Sequence, residues 1–199
     1  MERAIEIIRN EHRRFATVLF CLEGVLQDLR RTGATPDVTL LATIVDYIDS
    51  FLDRYHHPKE DEYLFPALQQ RHPAAGALLD RLQAQHREGE RLLAGLKQAV
   101  ADLADDGADA LPALSAAAAA YIAFERDHVR IEETELMPLA EKHLLARDWA
   151  FIEAAFAENQ DPLFGDDRKR AFDRLFTKIV TMAPAPHGVG SPLRAGSSR

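Results

Sequence analysis

At 199 residues, 47% hydrophobic and 28% charged, with a net charge of −8, the chain has the size and balance of one folded domain, or one domain with an appendage, able to bury a core. The acidic balance argues against nucleic-acid and anionic-membrane partners, which need a basic face. No run is expected to reach the roughly 18 apolar residues of a membrane span. Residues 1–6 lack a signal-peptide layout and the single Cys21 cannot form an internal disulfide, so a cytoplasmic, reducing setting is the expectation.

Residues 2 to about 31 carry Ile5, Ile8, His12, Phe15, Leu19, Leu22, Leu26 and Leu29 at alternating spacings of three and four, an amphipathic helix with a histidine in its apolar seam. Residues 32–36 break it. Thr35, Pro36 and Asp37 read as N-cap, first helical residue and dipole-compensating acid of a second helix. That helix runs through Val38, Leu41, Val45, Ile48, Leu52 and Tyr55 into His56, where Pro58 is expected to kink or interrupt it before a segment ending near Gln70.

His72 and Pro73 mark a turn, and a third helix follows with Leu79, Leu82, His86, Gly89, Leu93, Leu96, Val100 and Leu103 on one stripe. Residues 105–109 form a polar turn. The fourth helix carries Leu111, Leu114, Ala118, Tyr121, Glu125, His128, Glu132 and Glu135 on one stripe, and its alanine run at 116–120 permits close approach of neighbouring helices. The predicted fold is all-α, an up-down-up-down four-helix bundle over 1–145. Two shorter helices near 146–158 and 166–182, separated by residues 159–165, make an appendage over 146–183 that packs on the bundle or on a second subunit of a homodimer. Residues 184–199, rich in Pro, Gly, Ser and Ala, read as a disordered tail.

The stretch 55–66 recurs at 127–138. At one common offset His56 falls on His128, Glu60 on Glu132, Asp61 on Glu133, Leu64 on Leu136 and Pro66 on Pro138. Each copy places a histidine four residues before a glutamate, hence on one helical face. Each is preceded at a similar distance by a lone histidine, His12 or His86. One such pair is ordinarily a solvated surface contact. Two copies, with two histidines on otherwise apolar stripes, instead suggest a buried dinuclear site, because four imidazoles and two carboxylates suit iron, manganese or zinc, and carboxylate bridging favours a pair of ions. The duplication selects His56 and Glu60 over the shifted pair His57 and Asp61, since position 129 is valine. Asp53 and Glu125, three residues before His56 and His128, are candidates to orient the ligands from behind, with surface pairing as their alternative. Tyr55 and Tyr121 read as pocket lining or plain core, His72 and His143 as helix-end residues, and His187 receives no role.

His12, His56-x-x-x-Glu60, His86 and His128-x-x-x-Glu132 together resemble the hemerythrin-like family, or HHE cation-binding domain, over residues 1 to about 145. The resemblance implies a four-helix bundle around two Fe ions in an oxo- or hydroxo-bridged di-iron centre. It makes Glu60 and Glu132 the bridges, and His12, His56, His86 and His128 terminal ligands, two to each iron. The oxygen carriers of the family have a fifth histidine one turn from the equivalent of His86, where this chain has Leu82 and Glu90, and their fourth-helix acid stands five residues after its histidine rather than four. Nearly equivalent halves follow, each iron with one position open or filled by Glu90 or water. The implied function is handling of O2, NO or H2O2, as sensor or scavenging enzyme. Iron storage, delivery or iron-centre repair is an alternative; the repair relatives carry an N-terminal cysteine-containing region, whereas this chain has only Cys21. A metal-stabilised interaction module is a further one.

Overall fold

The computed structural model describes residues 2–34, 36–157 and 165–191. Among them every long element is a helix. α1 is Glu2–Thr32; its chain leaves through Gly33, whose φ of 62° suits a residue without Cβ and whose N–H bonds Leu29 O at 3.0 Å. α2 spans residues 38–71. Its N-cap is Asp37, which accepts the Leu40 N–H, so the helix begins at Val38 rather than at Pro36; Thr35 lies outside the described residues.

α2 does not break at Pro58. It alternates α-helical segments with wider π-helical turns at Asp49–His56 and Glu60–Leu64, and Pro58 falls in the first turn of the short α-helical segment between them. A π-helical turn has slack where a proline withholds its N–H. The second copy does the same: α4, residues 111–143, widens at Glu132–Leu136 just before Pro138, as α2 widens just before Pro66. In each copy the widened turn starts at the repeated glutamate and is closed by a bond to its carbonyl, from Phe65 N–H or Met137 N–H. Pro73–Ala75 leads into α3, Gly76–Asp106, and a tight turn at Gly107–Ala110, with Gly107 at φ 63°, leads into α4.

α1 packs on α2 and α4, α2 on α3, and α3 most extensively on α4. One window within residues 73–143 reaches the length and hydropathy of a membrane span, contrary to expectation. Its apolarity is largely that of alanine, and Leu114, Ala118, Tyr121 and Ile122 in this segment are buried in the protein core. Two apolar clusters fill the interior. One holds Phe15 to Leu29 of α1, Leu40 to Tyr55 of α2, Leu93 to Leu103 and Leu114 to Ile122. The other holds Ala4 to Ile8, Leu64 to Leu68, Leu79, Leu82 and Ile131 to Leu144. Between them the four helices place His12, His56, Glu60, His86, His128 and Glu132, all buried.

α5, Ala146–Ala157, covers the second cluster with Trp149, Ile152 and Phe156, and is held by the paired bonds of Arg71 to Asp148 at 2.7 and 2.8 Å. α6, Gly165–Met182, lies on the first cluster through Phe172, Leu175, Phe176 and Ile179. The separating residues 158–164 lie outside the described set. Of the expected tail, residues 184–191 are folded, and residues 192–199 lie outside the described set. Val189 N–H and Gly190 N–H bond Val180 O and Ala183 O near the end of α6, where helical carbonyls need donors. His187 rests against Gly24, where a Cβ would stand 2.1 Å from the ring, and its carbonyl accepts the buried Cys21 thiol at 3.0 Å. Composition missed this hook because backbone bonds, not apolar burial, hold most of it.

Candidate metal centre

The structure brings all six sequence-predicted residues into one buried layer. Two groups of ligand atoms converge there: His12, His56, Glu60 and Glu132 in one, and His57, Glu60, His86 and His128 in the other. Glu60 belongs to both. Its Oε1 lies 3.6 Å from His56 Nε2 and its Oε2 lies 3.5 Å from His86 Nε2. Glu132 spans the same gap, with Oε2 at 3.3 Å from His12 Nε2 and Oε1 at 3.1 Å from His128 Nε2. Each carboxylate thus presents one oxygen to each histidine set.

The Nε2 atoms of His12, His56, His86 and His128 and all four oxygens of Glu60 and Glu132 are buried, facing only one another at ion-pair distances and without a well-directed hydrogen bond. Leaving so many polar atoms unsatisfied would cost kilocalories each. A metal pair held here would satisfy them all at once, and nitrogen and carboxylate donors are the set borderline divalent metals prefer. The donor set fits the group that the sequence implies.

Behind the ligands, Nδ1–H donors fix the rings. His12 donates to Glu133 at 2.7 Å, His56 to Glu11 at 2.8 Å, His86 to Asp61 at 3.2 Å and His128 to Gln85 at 3.2 Å. Such bonds hold Nε2 inward and raise its basicity. These supports obey the duplication. The residue before each lone histidine, Glu11 or Gln85, supports the histidine of the same copy; the residue after each repeated glutamate, Asp61 or Glu133, supports the lone histidine of the other copy. Of the expected supports, Asp53 stands 3.7 Å from Nδ1 of His57 rather than of His56, and the Glu125 carboxylate bonds none of the rings. The signal that would have found the right ones was the matched offset, already visible for Asp61 and Glu133.

His57, which lies outside the expected ligand set, stands among the converging residues. It is buried within the second group, its ring stacked on that of His86 with centroids 4.0 Å apart, while Asp53 Oδ1 stands 3.7 Å from its Nδ1. Consecutive helical residues point about 100° apart, so His56 and His57 serve opposite ends of Glu60. The halves are therefore not equivalent: one set has two imidazoles, the other three. Glu90 is in neither group; it borders a surface depression with Asp53 and Lys97. Tyr121 and Tyr55 are both core, and Tyr55 also borders a cleft. His72 and His143 stack on each other at 4.0 Å at two helix ends.

The field of the site draws cations. Burial opposes charge on His12, yet Glu132 and Glu133 raise it to about 10; burial likewise opposes charge on His86, and Asp61, Glu132 and Glu60 raise it to about 12. Burial pushes Glu132 up, but His128, His12 and His86 together hold its carboxyl well below the usual range. His57 is the exception: burial, then His86, His128 and His56, keep it well below its ordinary value, hence a neutral donor. A bound metal cation would take the place of the imidazolium protons, so binding releases them.

No curated protein and no solved structure shows a significant match. The family model for the hemerythrin HHE cation binding domain matches residues 3–140, which cover the helices that carry all seven inward-facing residues. The chain belongs to the hemerythrin HHE cation-binding domain family.

Proposed function

We propose that the protein is a non-haem di-iron protein of the four-helix-bundle type that binds or reacts with O2, NO or H2O2, as sensor or scavenger. The observation that carries this reading is the span of Glu60 and Glu132, each with one oxygen toward each histidine set. Iron ions held between these side chains would supply diatomic binding and electron transfer to such molecules.

The residues divide the work. His57, His86 and His128 would hold one ion with three imidazoles, and His12 and His56 the other with two, so the His12 and His56 side would offer fewer protein donors and more room for a small molecule. The bonds from Glu133 and Glu11 keep those two rings oriented. The apolar clusters above and below exclude bulk water from the layer.

The test is anaerobic loading with ferrous iron, followed by near-ultraviolet and visible spectra as O2, NO or H2O2 is admitted. A new absorption band with one of them, lost in His56→Ala, supports the reading. Zinc retained in place of iron, or no spectral change with any of the three, would overturn it.

A further inference from the structure

On the His12 and His56 side of the metal layer, α1, α2, α5 and α6 enclose a cleft of about 550 Å³, within the range of small-molecule sites. Phe51, Phe156 and Phe172 line its floor; Phe51 and Phe156 are core rings, 4% and 2% exposed, and the half-buried Phe172 is the ring it chiefly presents. The Phe51 ring lies nearly parallel to His56 at 6.1 Å between centroids, and Phe156 meets the same imidazole edge-on at 6.2 Å. One layer of rings therefore separates the cleft from a metal-ligand histidine.

Its α1 wall is cationic in a chain of net charge −8: Arg3, Arg13 and Arg14 line it. Arg3 pairs with Glu153 and Arg14 with Asp173. Arg13 is exposed and bonds Asn10 Oδ1, with no carboxylate partner among the described residues. Glu11, the acid in the same wall, is already engaged by His56 Nδ1 at 2.8 Å.

From this juxtaposition we infer that the cleft binds a small organic anion with a flat aromatic body, its ring on the half-buried Phe172, which lies over the core rings Phe51 and Phe156, and its negative group on Arg13. A guanidinium with no carboxylate partner among the described residues matches a carboxylate or phosphate in two-point geometry. Aromatic walls favour a planar partner over an aliphatic one, because offset and edge-on ring contacts add to apolar burial. A bare inorganic anion would leave the aromatic floor wet, and a neutral aromatic would leave Arg13 unused. The ligand would lie against Glu11, so occupancy reaches the two-histidine side of the centre through the Glu11 to His56 bond. Binding itself stands on the cleft and does not depend on the iron reading.

The test uses flavin mononucleotide as probe on the full chain, metal-free and iron-loaded, with fluorescence quenching as readout and riboflavin and inorganic phosphate as controls. The expected result is saturable binding at one probe per chain in both forms, with riboflavin roughly tenfold weaker or more, the weight of one charge-assisted pair. Arg13→Glu should weaken the probe by a similar factor while leaving iron content unchanged, and Phe172→Ala should weaken probe and riboflavin together. Absence of saturable binding, indifference to Arg13→Glu, or equal competition by phosphate alone would overturn the inference. Loss of iron chemistry with probe binding intact would overturn the di-iron reading and leave this one standing.

Discussion

His57 lies face to face on His86, ring centroids 4.0 Å apart and planes 12° from parallel, inside the three-histidine end of the metal layer. Read on the duplication alone, His57→Ala should be silent. The geometry reverses that expectation. Replacing His57 with alanine or with valine, the residue at its repeat position, should weaken one of two metal ions by more than the roughly 10–100-fold that loss of an outer supporting partner costs. Isothermal titration with ferrous iron should then resolve one strong and one weak equivalent; two unchanged equivalents would return His57 to a merely structural place.

Glu60 and Glu132 each serve both histidine sets, so removing either should act on both ions. Each bound ion should stabilise the wild-type fold by roughly 3–4 kcal/mol at free concentrations 100 to 1,000 times its Kd. Glu60→Ala and Glu132→Ala should abolish most of that gain. Thermal melts with and without iron read it directly, and a variant that keeps the full metal-induced shift would show that its carboxylate does not bridge.

Glu125 occupies space that Gly89 leaves open: a Cβ at 89 would stand 2.8 Å from its Oε1, and neither carboxylate oxygen has a partner. Burial raises its carboxyl to about 7; His128 opposes, Asp53 and Glu132 add, and His86 opposes. An ordinary glutamate titrates near 4.3. The folded chain thus keeps a proton that the unfolded chain sheds. That contribution is complete below about pH 4.3 and is lost as pH rises toward about 7. In metal-free protein, Glu125→Gln should remove this slope and gain up to about 3 kcal/mol over wild type at pH 8. Urea unfolding at pH 5 and pH 8 checks it; parallel curves for the two proteins would contradict it.

Gly24→Ala should improve the intrinsic propensity of α1 by about 1 kcal/mol, yet its Cβ would collide with His187. The hook at 184–191 should detach and expose Cys21, whose thiol donates to the His187 carbonyl. Labelling of Cys21 by a thiol reagent should accelerate roughly tenfold or more through local opening. Unchanged labelling would mean that the hook tolerates the methyl group.

The helices and six of the seven inward-facing residues were legible because the seam of each helix is written in spacings of three and four, and a buried histidine on such a seam stands out. His57 was not, because the stripe rule treats a site as one point on a helix face, whereas this centre has two points joined by Glu60, and neighbouring residues can each reach one. The uninterrupted passage through Pro58 was hidden for a related reason: propensity describes an α-helix, and the chain uses π-helical turns. The hook escaped because its bonds are to carbonyls of α6, which composition does not register.

The most direct test of the central claim is the number of ions retained per chain after anaerobic loading with ferrous iron and gel filtration, measured by mass spectrometry of the metal. About two per chain in the wild type, and well under one in Glu60→Ala, is the expected result for a carboxylate-bridged pair. One ion or fewer in the wild type, or two in Glu60→Ala, would contradict it.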